Sequence, residues 1–253
     1  MSRMLVRNLK NRLKGRAIKI SKPEDRIGYL VDDGETQIRI AHLERARFYY
    51  KGIKARIDRL AESYLLSSVD WKIEDLMVDC GANIGELGRW AQTRNISYIG
   101  IEPEKEEYEV LCENIHGCRH YNGGLWSFEG ELEFFSKPDT ADSSFVEPPT
   151  YFSKKVIPVL SGQSLIQRFG IDRIKLLKVE AEGAEPEVLE GFLPVLSKID
   201  FIVIEVGYER GINQEDTLMP CHRLLHENSF SLIKCRLKES KFLYRNTVLN
   251  EPS

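Results

Sequence analysis

The sequence has no long hydrophobic run and no excess of basic residues. Its 253 residues are 42% hydrophobic and 30% charged, and no apolar run approaches the ~20 residues that span a bilayer. The 36 Lys and Arg residues face 39 Asp and Glu, so the net charge of -3 gives no overall field for a nucleic-acid backbone. These absences argue against an integral membrane protein, and we expect no nucleic-acid partner.

Cysteine and histidine are also scarce. The sequence contains five cysteines, an odd number without a CxxC pair: Cys80, Cys112, Cys118, Cys221 and Cys235. No apolar signal peptide precedes them, so we expect reduced thiols and a cytoplasmic protein. His222 and His226 have the i, i+4 spacing of two ligands on one helix face, but no third ligand stands nearby. We therefore predict no metal site.

The first 23 residues carry eight basic side chains and no acid. Leu5, Leu9 and Leu13 recur every four residues, as on one face of a helix. A basic amphipathic helix of this kind has two interpretations. It is either a cap on the end of the domain, or a peripheral contact with an anionic surface such as the inner face of the membrane, or with a partner.

Beyond residue 70 the pattern changes to short, β-rich apolar runs separated by helix-length amphipathic sequence. The runs are LMVD (76–79), YIGIE (98–102), IKLLKVE (174–180) and FIVIEV (201–206). Near-continuous hydrophobic strands alternating with helices are typical of a parallel sheet buried on both faces. Because residues 38–68 have helical spacing, we divide the chain into a basic leader with a helical N-terminal extension, residues 1–70, and an α/β domain, residues 71–253.

Two hairpins are predicted in the α/β domain. The first joins LWSF to LEFF through a turn at Glu129 and Gly130, and a long polar loop follows it. The second joins FSLIKCRL (230–237) to KFLYRN (241–246) around Glu239 and Ser240. We therefore expect the chain to end in two antiparallel strands.

The strongest chemical signal is VDCGANIGELG, residues 78–88, where a strand ends in Asp79 and a glycine turn at Gly81 and Gly85 opens a helix. A dinucleotide fingerprint needs a glycine where Asn83 stands, because the backbone must close on a pyrophosphate. The nicotinamide oxidoreductase interpretation therefore loses weight. Glu102 ends the next strand, 21 residues after Gly81, where an acid accepts both hydroxyls of a ribose. Together these residues predict a nucleoside-binding site.

At this point the sequence resembles the FkbM family of S-adenosylmethionine-dependent methyltransferases, from about Tyr64 to Val206. Three stretches carry the resemblance: VDCGANIGELG, IEPEKEEYEVLCENI and LLKVEAEGAEPEVLEGF. The third is close to the family pattern KIDVEGAE, except that Glu180 stands where the family usually has Asp. That carboxylate is displaced by one methylene.

The resemblance implies a class I methyltransferase fold, a Rossmann-like, seven-stranded, mostly parallel sheet with an antiparallel C-terminal hairpin. It implies S-adenosylmethionine as cofactor and O-methylation of a hydroxyl on a sugar, a polysaccharide precursor or a related metabolite. The residues it implies for the cofactor are Asp79, Gly81, Asn83 and Gly85 at the methionine end, Glu102 at the ribose, and Gly124 and Leu125 near the adenine.

A carboxylate cluster follows the fourth predicted strand, at the sheet edge where open α/β sheets bind ligands. Methyl transfer to an alcohol releases a proton, and a nearby carboxylate is a plausible base. Glu182 is the leading candidate and Glu180 the alternative, with Lys178 pairing an acid or reaching the substrate. Glu185 is interpreted as a helix cap, and Glu205 is a further acid that could face the cleft.

The acceptor candidates are aromatic and polar residues around the long loop. Aromatic faces cover the apolar side of a sugar while polar groups bind its hydroxyls. The candidates are Trp126, Phe145, Tyr151 and Phe152, together with Asp142 and Ser143. A small-molecule or glycan acceptor is thus predicted. The alternatives left open are a non-catalytic cofactor-binding or scaffold protein on the same fold, or a nicotinamide-dependent oxidoreductase.

Overall fold

The computed structural model describes residues 4–5, 7–8, 11, 14–15, 18–137 and 142–248. In this part of the chain, no helix combines the length and the apolar character needed to cross a bilayer. Met4, Leu5, Arg7, Asn8 and Asn11 of the leader are helical, whereas Leu9 and Leu13 of its predicted apolar stripe lie outside the described residues.

The N-terminal extension begins with an antiparallel sheet that the sequence analysis did not predict. Its strands are β1 (Lys19–Ser21), β2 (Tyr29–Asp32) and β3 (Gln37–Ile40), in that order. The Asn8 side chain bonds the N–H and the C=O of Ile20 at 2.8 and 2.7 Å, which docks the leader on β1. The predicted helical character is found only after β3, in a 3-10 segment (Leu43–Tyr49), helix α1 (Ile53–Ser63) and a 3-10 turn (Leu66–Ser68).

A seven-stranded sheet forms the centre of the molecule, which confirms the predicted architecture. Its strands are β4 (Leu76–Cys80), β5 (Ser97–Glu102), β6 (Arg119–Asn122), β10 (Ile174–Val179), β11 (Ile199–Glu205), β14 (Phe230–Arg236) and β15 (Lys241–Asn246). The order is β14-β15-β11-β10-β4-β5-β6. From β11 to β6 all neighbours are parallel, and β15 is antiparallel to both β11 and β14. The C-terminal hairpin is thus confirmed, with Ser240 in its turn at a left-handed φ of 51°.

Helices cover both faces of this sheet. They are α2 (Glu86–Gln92), α3 (Lys105–Asn114), α4 (Gly162–Phe169), α5 (Glu185–Phe192) and α6 (Leu218–Glu227). Every residue of β4 and β10 is buried, and alternate side chains serve two apolar clusters. Met77 joins α2, α3 and the N-terminal extension on one face, while Val78 joins α4, α5 and α6 on the other. This double burial explains the continuous apolar runs in the sequence.

A second three-stranded sheet shows that the first predicted hairpin is wrong. It contains β7 (Gly124–Leu125), β8 (Gly130–Ser136) and β9 (Ser153–Leu160), in the order β7-β9-β8. The chain bends at residues 127–129, but β7 pairs in parallel with β9 instead of with β8. Trp126 continues this pairing, because its N–H donates to the Leu160 carbonyl at 2.9 Å. A further small hairpin, β12 (Tyr208–Arg210) and β13 (Glu215–Asp216), follows β11.

Candidate functional site

A cavity of about 410 Å³ opens at the carboxyl ends of β4, β5, β10 and β11. Open α/β sheets bind their ligands at this edge because the chain turns away from the strands there. Among the described residues, ten carboxylates and four cationic side chains line the cavity. The acids are Asp79, Glu86, Glu102, Glu104, Glu107, Asp142, Glu180, Glu182, Glu205 and Glu209, and the cations are Arg45, Arg56, Lys178 and Lys241.

The glycine turn forms the floor of the cavity. Gly81 has a φ of 79°, and a Cβ there would lie 2.3 Å from the Glu180 carbonyl oxygen. Asn83 is also left-handed, at 48°, and its side-chain oxygen accepts the Ile84 N–H at 2.9 Å. The turn therefore comes against the end of β10 and presents its backbone to the cavity.

Gly85 is not among the residues that line the cavity, and its predicted place at the methionine end stays a prediction. A Cβ on Gly85 would lie 2.6 Å from Leu111 and 2.7 Å from Ile115. Its φ of 82° and its closeness to these side chains show that this glycine lets α2 begin beside α3.

Glu102 faces the cavity at the end of β5. It is 6% exposed, and its two carboxylate oxygens accept the backbone N–H groups of Glu104 at 2.9 Å and Asn83 at 2.8 Å. Burial, reinforced by the charge of Glu107, raises the pKa of Glu102 to about 8. The same edge of the cavity is completed by Gly124 and Leu125.

Lys178 lies between two carboxylates beneath the cavity. Its ammonium is 3.0 Å from Asp79 Oδ1 and 2.9 Å from Glu180 Oε2, and it donates to the carbonyls of Cys80 and Gly81. Burial opposes its charge, but the carboxylates of Asp79 and Glu180 hold its pKa above the usual range. Lys178 therefore pairs with two acids and orients the glycine turn, while its alternative role of reaching a substrate stays a prediction.

The two candidate bases differ in their protonation state. Burial disfavours the charge of Glu180, but the Lys178 ammonium and the Tyr64 hydroxyl outweigh it and lower the pKa of Glu180 to about 2. Burial, together with the charges of Glu180 and Glu209, raises the pKa of Glu182 to about 10. At neutral pH, Glu180 is ionised and Glu182 carries a proton.

The loop that holds Glu182 is fixed from both sides. Glu182 has a left-handed φ of 50°, and the Ser144 hydroxyl donates to its carbonyl at 2.7 Å. The Arg210 guanidinium donates to the next carbonyl, that of Gly183, at 2.8 Å. Glu185 is the first residue of α5, but its carboxylate accepts the N–H groups of Ala181 and Gly183 in the preceding loop and caps no N–H group of the helix.

Some acceptor candidates lie in the cavity wall and others do not. Asp142, Ser143 and Phe145 line it, although the Ser143 hydroxyl is engaged with Glu104 at 2.7 Å. Trp126 and Tyr151 are not among its lining residues, and their assignment to the acceptor stays a prediction. The Trp126 ring packs on Phe145, at 6.0 Å between centroids, and the Tyr151 ring packs on Phe135, at 5.0 Å.

Several lining residues that no sequence pattern marks as site residues come from outside the strand ends. They are Arg45, Phe48, Arg56, Leu60 and Tyr64 of the N-terminal extension, Glu209 of β12 and Lys241 of β15. Tyr64 belongs to the stretch with helical spacing, and spacing alone does not show that its hydroxyl meets a distant carboxylate. Lys241 is directly opposite Glu205 in the register of β15 and β11, a pairing that the predicted hairpin alone did not fix.

A Rossmann-like sheet with a glycine turn and an acid at the second strand defines a nucleoside-binding class of enzyme. The model of the methyltransferase FkbM domain matches residues 79–231, more than half of the chain. The chain belongs to this methyltransferase family, as the resemblance predicted, and S-adenosylmethionine is its cofactor. The nicotinamide oxidoreductase alternative is thereby set aside.

Similar proteins are distant. The hexuronic acid methyltransferase AglP of Haloferax volcanii is 25% identical over 150 residues, 56% of this chain and 59% of that protein. The chain therefore matches about three-fifths of that relative's length. Magnesium protoporphyrin IX methyltransferase of Synechocystis PCC 6803 is 10% identical, with a TM-score of 0.43 and coverage of 85% of this chain and 87% of that one. Human N-acetylserotonin methyltransferase is 13% identical, with a TM-score of 0.40 and coverage of 80% and 56%.

Proposed function

We propose that the protein transfers a methyl group from S-adenosylmethionine to a hydroxyl of a sugar or of a sugar-bearing metabolite. The observation that carries the proposal is that one cavity joins the nucleoside-type end, with Gly81 and Glu102, to the ionised carboxylate of Glu180. A relative named as a hexuronic acid methyltransferase supports the sugar. The carboxylate-rich wall supports it too, because carboxylates accept hydrogen bonds from hydroxyls.

The cofactor end of the cavity fits a nucleoside carrying an amino acid. Gly81 and Gly124 line this end, and each lets the backbone pack closely, because a Cβ would lie 2.3 Å from the Glu180 carbonyl oxygen or from the Phe145 ring. In the proposal, Glu102 accepts the ribose hydroxyls and the glycine turn holds the methionine end. When bound, S-adenosylmethionine supplies an electrophilic methyl group on a sulfonium.

Glu180 is proposed as the group that receives the hydroxyl proton. Its low pKa makes it a weak base, but the hydroxyl proton becomes strongly acidic as its oxygen gains the methyl carbon, so a weakly basic carboxylate accepts it. Positioning of the reactants provides the larger part of the rate, roughly 7 to 11 kcal/mol in well-oriented reactions. Glu182, protonated at neutral pH, is proposed to donate a hydrogen bond to the acceptor.

The first test is binding and turnover. Calorimetry should give a dissociation constant for S-adenosylmethionine, and a panel of neutral sugars, nucleotide sugars and hexuronates should be assayed for release of S-adenosylhomocysteine. Binding of the cofactor without release on any acceptor would favour the non-catalytic alternative. Absence of S-adenosylmethionine binding would overturn the whole proposal.

The second test identifies the atom that is methylated. A methyl ether survives mild alkali, whereas a methyl ester on a hexuronate carboxylate is hydrolysed. Treating the product, labelled on the transferred methyl group, with alkali therefore separates O-methylation of a hydroxyl from esterification. Retention of the labelled methyl group supports the proposal. Its loss would show that the acceptor group is a carboxylate and not a hydroxyl.

A further inference from the structure

Tyr64 brings a hydroxyl from the N-terminal extension into the cavity. It follows α1, is 2% exposed and lies outside the residues that match the family. Its hydroxyl donates to Glu205 Oε2 at 2.6 Å. The same hydroxyl, whose single proton points to Glu205, is close enough to Glu180 to lower the pKa of that carboxylate. One phenol therefore connects the acids at the ends of β10 and β11.

An ammonium group flanks each end of this connection. Lys178 is 2.9 Å from Glu180, and Lys241 is 2.8 Å from Glu205. Both ammonium groups also lie over the Tyr64 ring, at 5.1 and 4.5 Å from its centroid. The five side chains lie side by side in the cavity wall and form a row, with one lysine at each end.

We propose that the Tyr64 hydroxyl conducts the acceptor proton from Glu180 to Glu205. This inference rests on the proposed function, in which Glu180 receives that proton. The O–H bond of the acceptor breaks and an O–H bond forms on Glu180. This proton then moves to the Tyr64 oxygen as the Tyr64 proton moves to Glu205. The phenol is regenerated, and the row gains one proton, held on Glu205.

The charges around the row favour this direction. Glu180 has the lowered pKa, about 2, whereas burial and the charge of Glu180 raise the pKa of Glu205 despite Lys241. A proton is therefore more stable on Glu205 than on Glu180. The charged and titratable groups around the row are Asp79 of β4, Lys178 of β10, Glu182 of the loop after β10, Glu209 of β12 and Lys241 of β15.

The kinetic experiment compares Tyr64→Phe, Glu205→Gln and the double variant at saturating cofactor and acceptor. Each single variant should lower kcat at least about tenfold, a part of the roughly 10²- to 10⁴-fold that a positioned acid or base contributes. KM and cofactor affinity should stay within about threefold. The double variant should lose no more than the worse single variant, because both break one path. Multiplicative losses, or kcat within twofold of wild type in either single variant, would overturn the proposal.

Tyr49→Phe is the matched control. Tyr49 is also a buried tyrosine of the extension, and its hydroxyl donates to the Glu86 carboxylate at 2.7 Å, beside Arg56. The substitution removes the same atom and the same kind of hydrogen bond outside the row. It should leave kcat unchanged, whereas a general effect of losing a buried phenol would lower kcat in both tyrosine variants.

A titration of the protein without cofactor or acceptor separates this inference from the proposed function. The pKa of Glu205 should be followed by carboxyl carbon NMR and assigned with Glu205→Gln. Loss of a hydrogen bond to a charged group should raise it by about one unit in Tyr64→Phe and leave it unmoved in Tyr49→Phe. An unmoved pKa would overturn the path whatever the kinetics. A raised pKa in a protein that methylates no acceptor would assign the failure to the proposed function.

Discussion

The Lys178 ammonium lies 2.9 Å from the Glu180 carboxylate, at the end of the strand where the sheet meets the cavity. The ion pair lowers the pKa of Glu180 and outweighs burial, which acts in the opposite direction. Glu182, two residues further along, pairs with no cation among the described residues, and its pKa of about 10 keeps it protonated. The choice between the two candidate bases is therefore set by which of them Lys178 reaches.

Exchange of each acid for its amide tests this difference. Glu182→Gln copies the neutral form that Glu182 has at pH 7, so turnover should fall only a few-fold. Glu180→Gln removes an ionised carboxylate, and turnover should fall by about 10²- to 10⁴-fold. Initial rates at pH 7 with saturating cofactor make the comparison. A larger loss at position 182 would return the role to Glu182, the candidate that the sequence favoured.

Replacement of Lys178 by Met should destabilise the protein. Asp79 and Glu180 would lose their cation while Asp79 stays buried, and breaking a buried pair costs about 3–5 kcal/mol. Urea unfolding followed by circular dichroism gives the free energy of unfolding. Lys105→Met, which breaks an exposed pair with Glu109 at 3.8 Å, is the control and should change it by less than about 1 kcal/mol. Similar losses in the two variants would contradict the prediction.

Gly81→Ala should weaken cofactor binding by at least about tenfold, or about 1.4 kcal/mol. The new Cβ must displace the Glu180 carbonyl oxygen, 2.3 Å away, and so move the turn relative to β10. Gly117→Ala is the control, because Gly117 has a similar φ of 75° and open space around its Cβ position. It should show only the cost of a left-handed alanine, about 1–2 kcal/mol of stability. Calorimetry measures the cofactor affinity, and urea unfolding measures the stability. Equal cofactor affinities in the two variants would be evidence that the glycine turn does not form the floor of the cofactor site.

Cofactor affinity should depend on the ionisation of Glu102. Ribose hydroxyls donate to a carboxylate, so the ionised form binds, yet a pKa of about 8 leaves Glu102 largely protonated at pH 7 without cofactor. Affinity should therefore rise as the pH increases from 6 to 8 and level off above that range. Calorimetry at a series of pH values gives the profile. Glu102→Gln should bind about 10- to 100-fold more weakly and lose this rise, and a variant that keeps the wild-type rise would assign the titration to another group.

The central sheet and the nucleoside end could be predicted because their signals are local. Strands buried on both faces need continuous apolar residues, and the turn after Asp79 needs glycine at position 81. The pairing of β7 with β9 could not be predicted. A turn at Gly130 indicates that β7 and β8 are neighbours in sequence, but it does not show that the later strand β9 pairs with both. The charge states of Glu180 and Glu182 depend on Lys178 and on burial, and neither is visible in the spacing of the acids.

The N-terminal extension shares its apolar cluster with the sheet: Tyr49 and Ile57 belong to the same buried group as Met77 and Leu243. The wall that this extension adds to the cavity is thus not a detachable cover over a finished enzyme. Replacing the extension alone could not give a new acceptor preference. An extension from another protein would have to pack into the apolar cluster that this one shares with the sheet. Divergence is expected instead through side chains that line the cavity without filling that interior, such as Arg45 and Arg56.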